Sequence, residues 1–260
     1  MAESNRTIIG IFIALVVIIA AALGWWWLSR DGDEAPQPVA AVATPAPSPT
    51  ATPPLADRLS SRLAGTTLAT SDAVIRELAA GLSSHPKLAA WLVNEDLVRR
   101  FVGSVDNIAA GISPRAHLEF ARPKEGFKVS EQADGPPVVD PASYRRYDAA
   151  AELFASLDTA GTVALYHELE PLIDDAYAEI GPPGKSFHDR LTAAFDQLLA
   201  VPVVDARQPV EPLVVTYAWA DEELEALSGA QRHLLRMGPE NVAKIQNKLG
   251  ELRAALAPTK

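Results

Sequence analysis

The side chains best suited to chemistry gather in two short segments. In Asp140-Pro141-Ala142-Ser143-Tyr144-Arg145-Arg146-Tyr147, the two tyrosines stand three residues apart and flank an arginine pair. Guanidinium forks beside aromatic faces suit an anionic group, which makes Tyr144, Arg145, Arg146 and Tyr147 candidate interaction residues. The same pattern also fits tyrosines at the rim of a core, with the arginines paired to local carboxylates. The second segment is residues 95–111, EDLVRRFVGSVDNIAAG. At 100° per residue, Leu97, Val98, Phe101, Val102, Val105, Ile108 and Ala109 share an arc of about 140°, the stripe of a core-facing helix. Glu95 and Arg99 lie on one flank in the favourable i, i+4 order, with Asp106 two turns on. Arg100 and Asn107 point to the opposite face. Arg99 therefore reads as structural, whereas Arg100 and Asn107 are placed to meet a partner.

Other chemistries find no support. The chain has no Cys, which excludes thiol catalysis, zinc ribbons and iron–sulfur clusters built on its own thiolates. His85, His117, His167, His188 and His233 are scattered, with no H-E-x-x-H and no pair at i, i+4. His167 and Glu170 could share a metal, yet two ligands do not make a site. There is no G-x-S-x-G, P-loop or dinucleotide fingerprint. Adjacent carboxylates such as Asp174-Asp175 or Asp221-Glu222-Glu223 point about 100° apart on a helix and do not converge on one substrate. The residues thus imply no catalytic group, no metal and no cofactor, and they lean away from an enzyme.

Charge narrows the partners. With 23 basic and 33 acidic residues the net charge is −10, which argues against nucleic acid. Between Arg146 and Lys185 there are eight acidic residues and no Lys or Arg. Such a tract could select a basic partner or hold a divalent cation loosely, and it serves equally as a solvated face.

Three segments of different composition must position these residues. After a short tail at 1–7, residues 8–28 run for 21 positions without a charge, 19 of them apolar. At 1.5 Å per residue this helix spans the roughly 30 Å core of a bilayer. Trp25, Trp26 and Trp27 close it, where amphipathic rings favour the headgroup boundary. A cleaved signal peptide is the competing reading. The tryptophans, however, occupy the place where cleavage needs small residues, so the segment reads as an uncleaved signal anchor. Arg6 and Arg30 tie the basic count across it. The acidic residues after Arg30 and the short N-terminal tail favour export of the long C-terminal part.

Residues 29–54 form a Pro/Ala-rich linker, with 7 of the 21 prolines between positions 31 and 54. Few side chains larger than Val occur there, so it reads as a disordered, stiffened tether with a reach of roughly 75 Å. The alternating Pro45, Pro47 and Pro49 also leave a docking ligand open.

Residues 55–260 predict one helical globular domain, mainly α with minor β. Ser71 should cap a helix reaching Leu82, His85-Pro86 should open a second, and Asn94 should cap a third ending near Ala110 at Gly111. Residues 113–139 break the pattern with prolines and glycines, leaving His117 to Phe120 and Phe127 to Val129 as small strands. Asp140 caps a helix through Leu157. Another covers Thr159 to Ile180, where Pro171 should kink or split it. Ser186 caps Phe187 to Leu199. Leu213-Val214-Val215-Thr216-Tyr217 is the best strand candidate. A tight αα-hairpin, Ser228 to Met237 and Pro239 to Leu256, turns at Gly238. The stripe Val242, Ile245, Leu249, Leu252 and Leu256 fits the core and also leaves room for a partner helix or a homo-oligomer.

Several motifs in this order resemble a bacterial family known as domain of unknown function 3014. They include Ser71-Asp72, Trp91-Leu92, Arg99-Arg100-Phe101-Val102, Ser113-Pro114-Arg115, Asp140-Pro141-Ala142-Ser143-Tyr144 and Leu234-Leu235-Arg236-Met237-Gly238-Pro239. The resemblance covers most of residues 65–257. It implies a span, a proline-rich spacer and one helical domain in Gram-negative bacteria, and it brings no assigned activity.

Two functions follow as expectations. One is a single-pass inner-membrane protein of the cell envelope, with a periplasmic helical domain acting as a binding or assembly module for an envelope protein. The alternative is an unfamiliar enzyme or small-ligand-binding domain, with Arg100, Tyr144 and Arg146 converging on one cleft.

Overall fold

Local capping chemistry sets most helix starts. His85, Asp140, Asp158, Ser186, Asp221 and Ser228 each accept a backbone N–H from the turn that follows, and Pro86, Pro141 and Pro239 open their helices. The computed structural model describes residues 62–257; the apolar run at 8–28 and the linker at 29–54 lie outside the described residues. Among the described residues no helix is long and apolar enough to cross a membrane.

The helices in chain order are α1 (Ser71–Ala79), α2 (Pro86–Leu92), α3 (Leu97–Ala109), α4 (Pro141–Arg145), α5 (Asp148–Ala155), α6 (Thr159–Ala178), α7 (Phe187–Leu199), α8 (Glu222–Glu225), α9 (Gly229–Leu235) and α10 (Pro239–Leu256). The strands are β1 (Val129–Ser130), β2 (Val138–Val139), β3 (Val210–Pro212) and β4 (Tyr217–Trp219). β1 pairs antiparallel with β2, and β3 with β4. A bridge between Val138 and Pro209 laces the two hairpins together. The described region is mainly helical with few strands.

Two hydrophobic clusters share α10. The larger joins α1, α3, α6, α7 and the C-terminal half of α10 around Phe187, whose ring meets Phe101 at 5.6 Å and Tyr177 at 5.7 Å. The smaller gathers Val139, Tyr144, Val210, Trp219, Leu234 and Val242 beneath the hairpins. Ile245 packs against both. At the α9–α10 turn Gly238 adopts φ +86°, and a Cβ there would lie 2.4 Å from the Tyr144 ring. Only glycine satisfies both demands.

Several expectations are corrected. Ser71 does not cap α1; Thr70 precedes the helix, and the buried Ser71 hydroxyl donates to Leu68 O at 3.0 Å. Asn94 does not cap α3, because its amide donates back to Trp91 O at 2.6 Å. The first N–H groups of α3 are met from another helix instead. Asp72 Oδ2 accepts from Asp96 N at 2.8 Å, and Oδ1 from Leu97 N at 2.9 Å. Asp96 itself takes φ 57°, the one left-handed non-glycine among the described residues. Pro171 does not split α6, which runs through it as one element. Residues 117–120 form no strand: His117 and Leu118 lie between the 3-10 turns Pro114–Ala116 and Glu119–Ala121, and Glu119 and Phe120 belong to the second. In the 213–217 run only Tyr217 is in a strand. Pro212 closes β3, and Leu213 N donates to Thr216 O at 2.7 Å, so residues 213–216 form the reversing loop.

The trans cap is testable. Asp72→Ala strands two N–H groups at the start of α3 and should lower unfolding free energy in urea by about 1–2 kcal/mol. Asp72→Asn, which keeps one acceptor oxygen, should lose less. Equal stability of Asp72→Ala and the parent would show that the cap does not stabilise α3.

Candidate functional site

Residues 113–128 form a strap of turns that crosses the helices and roofs an apolar cavity of about 1250 Å³. That exceeds the roughly 300–1,000 Å³ of most small-molecule sites. Close-packed interiors carry few voids larger than a water, so an opening of this size has the dimensions of a site and not of a packing defect. The walls come from Val105 and Ile108 on α3, Ala150 and Phe154 on α5, Val163 and Tyr166 on α6, Phe195 and Leu198 on α7, and Leu249 and Leu252 on α10. Trp91 and Phe120 meet edge to face at 5.5 Å along the strap. Phe101, expected in the core stripe, is 41% exposed: its ring meets Phe187 on one side and lines this cavity on another.

The strap is moored at both ends. At its start the Ser113 hydroxyl lies 2.9 Å from His233 Nδ1 on α9. At its end the fully buried Ser143 hydroxyl accepts from Lys128 N at 2.7 Å and donates to Lys128 O at 2.8 Å. Asp140, the cap of α4, also accepts from the Ser130 hydroxyl at 3.1 Å, and with the Ala142 N–H this holds its carboxyl below the usual carboxylate range. In between, the His117 ring packs on Gly103, where a Cβ would come within 2.5 Å of it.

The candidate interaction residues fall in different places. Arg146 and Tyr147 line the cavity; Arg100, Asn107, Tyr144 and Arg145 do not. Arg146 donates from Nη1 to Glu125 O at 2.7 Å and from Nε to Ser143 O at 2.8 Å, with its guanidinium over the Phe127 and Tyr147 rings. Arg100 donates from Nε to Glu95 O at 2.8 Å and from Nη1 to His117 O at 3.4 Å. The two arginines thus brace opposite ends of the strap. Tyr144 is buried in the smaller cluster, and burial pushes its phenol up to about 12. Arg145 is exposed, and Asn107 accepts the N–H of Ala110 and Ile112 with its main-chain carbonyl. The required convergence of Arg100, Tyr144 and Arg146 on one cleft does not occur. Arg99 meets Glu179 through two bonds of 2.7 Å, not Glu95, and Asp106 pairs with Arg190 at 2.8 Å.

Sequence reasoning missed the residues that build the site. Ser113, Ser143 and His233 stand 15 or more positions from the groups they bind; the serines were noticed only within motifs, and His233 only among the scattered histidines. The cavity's charged lining is Arg115, Arg122, Lys124 and Arg146 against Glu119 and Glu125, a basic excess on an acidic chain. Arg122 is engaged with Glu119 at 3.7 Å. Among the described residues no group of three or more His, Asp or Glu could hold a metal ion.

His233 carries a pH dependence. Burial first, then the charges of Arg115 and Arg236, lower its pKa below the ordinary histidine value. The folded state therefore binds this proton less readily than the unfolded chain. Its contribution to stability is complete above the unfolded pKa of about 6.5 and is lost as pH falls through the folded value. The urea midpoint should drop between pH 8 and pH 5 by more in the parent than in His233→Gln. Identical pH dependences would contradict a half-buried His233 whose pKa folding lowers.

Residues 97–253, more than half of the chain, match the family described as protein of unknown function (DUF3014). No curated protein and no solved structure matches the chain. The matched span runs from the first residue of α3 into the last turn of α10 and takes in the whole strap with its moorings, and on this match the chain belongs to the DUF3014 family.

Proposed function

We propose that the chain is a single-pass protein of the bacterial inner membrane, anchored by residues 8–28 and tethered by residues 29–54, whose periplasmic helical domain is a binding module. Its ligand is an amphiphile with an apolar body and an anionic end. The observation that carries this reading is the cavity beneath the strap, walled by aliphatic and aromatic side chains from seven helices. Removing a hydrocarbon body from water contributes about 0.8 kcal/mol per buried CH₂, and an apolar wall offers a charged ligand body nothing in return. Arg115 and Lys124 on the strap line the cavity with exposed side chains and have no ion-pair partner among the described residues, and they suit an anionic end. This replaces the cleft of converging arginines and tyrosines by a cavity whose roof the arginines hold. An envelope protein or a second copy as partner belongs to the same binding-module reading, but the cavity favours a small amphiphile.

Both hydrophobic clusters lie within residues 62–257, so a soluble form starting at residue 55 retains the whole site. Titrated with cis-parinaric acid, it should show saturable binding of one probe per chain. Ala150→Trp, which places an indole in the cavity, should weaken binding at least about tenfold, or 1.4 kcal/mol, with an unchanged melting temperature. Arg115→Glu combined with Lys124→Glu should weaken the acid more than the matching alcohol. Binding that does not saturate, or that ignores Ala150→Trp, would remove the cavity from the function.

A further inference from the structure

The two most exposed large apolar side chains of the described region, Val214 and Val215, sit side by side on one loop, with Leu213 next to them. Val214 is 101% and Val215 92% exposed, and Leu213 is 55% exposed. They occupy the reversal of the β3–β4 hairpin, closed by Leu213 N donating to Thr216 O at 2.7 Å. Tight reversals ordinarily take Gly, Asn, Asp, Ser or Pro, because these tolerate or preset the turn dihedrals. Two β-branched residues at the tip have no such rationale, and no side chain of the domain covers them. The nine residues from Pro212 to Ala220 carry no charge. Behind the tip the Tyr217 ring lies 5.5 Å from Phe127, a residue of the cavity wall, so the loop projects from beside the cavity's edge.

We infer that this loop is a membrane-contacting tip, which sets Leu213, Val214 and Val215 into the interfacial region of the bilayer to which the same chain is anchored. The occupant follows from the chain itself. The 21-residue apolar run at 8–28 is joined to the domain by the 26 residues 29–54, a length that keeps the loop within reach of the lipid surface. Such tethering supplies a millimolar-range effective concentration, at which a three-residue apolar contact is populated although it would be too weak for a free domain. An uncharged aliphatic tip backed by a tyrosine matches the interfacial zone, where amphipathic rings settle. A polypeptide partner would be expected to find a larger patch than these three side chains offer. The contact brings the cavity's edge toward the lipid, giving an amphiphile a short path under the strap. This inference rests on the anchored reading of residues 8–28, and not on what the cavity binds.

The absence of Cys makes the test direct. The full chain carrying Val214→Cys is labelled with an environment-sensitive fluorophore and reconstituted into phosphatidylethanolamine–phosphatidylglycerol vesicles, with Asp175→Cys on exposed α6 surface as the comparison. Label at 214 should shift to the blue and be quenched by nitroxide lipids, whereas label at 175 should not. Adding Val215→Asp to the Val214→Cys chain should abolish quenching with an unchanged circular dichroism spectrum, since both side chains are solvent-exposed. A chain that floats with the vesicles yet leaves label 214 water-exposed overturns the tip and spares the anchor. A blue shift without lipid quenching overturns it in favour of a protein partner. A chain that does not float overturns anchor and tip together.

Discussion

The cavity exists only because a strap with little secondary structure of its own is held across apolar walls. Main-chain carbonyls lying over apolar walls are best met by protein donors. Arginine supplies them at both ends, from Arg100 to His117 and from Arg146 to Glu125. Serine hydroxyls fix the termini, the half-buried Ser113 and the buried Ser143. If these bonds were absent the strap would settle into the opening or lift from it, and the helices beneath would close their own gap. The polar moorings therefore keep the cavity open, while the two hydrophobic clusters keep its walls in place.

The walls depend in turn on α10. Its first turns pack Val242 against the hairpin cluster, and its later turns carry Leu249 and Leu252 into the helical cluster. Gly238 sets its entry, because the turn demands positive φ and the Tyr144 ring lies where a side chain would be. α4 thus does two things with neighbouring residues: Tyr144 fixes the start of α10, and Ser143 ties down the strap. A ligand in the cavity would touch the same helices that join the two clusters, and its binding would be coupled to the stability of the whole domain.

Much of this fold was legible where causes are local. The start of α7 at Ser186, the proline openings and the Gly238 turn all follow from residues within one turn of the event they control. The stripe of α3 was visible in its spacing, as was the family likeness in motifs such as RRFV and DPASY. The cap of α3 was not, because Asp72 acts from 24 residues away. Neither was the role of Arg146, whose carbonyl partner is 21 residues distant. The 213–217 run has strand composition, but propensity reports only a fit to a paired, half-buried surface, and residues 213–216 hold the reversal between β3 and β4, leaving only Tyr217 a strand partner, Pro212. Phe101 read as core since a periodic stripe does not tell a filled interior from a cavity wall. The site is therefore a tertiary fact assembled from residues whose types alone were ambiguous.

The binding claim is tested most directly by native mass spectrometry of the full chain released in mild detergent from the membrane in which it is made. The account predicts a lipid-sized adduct at one per chain in the parent, lost from Ala150→Trp purified in the same way. A parent chain that carries no such adduct, or one retained equally by Ala150→Trp, would contradict it.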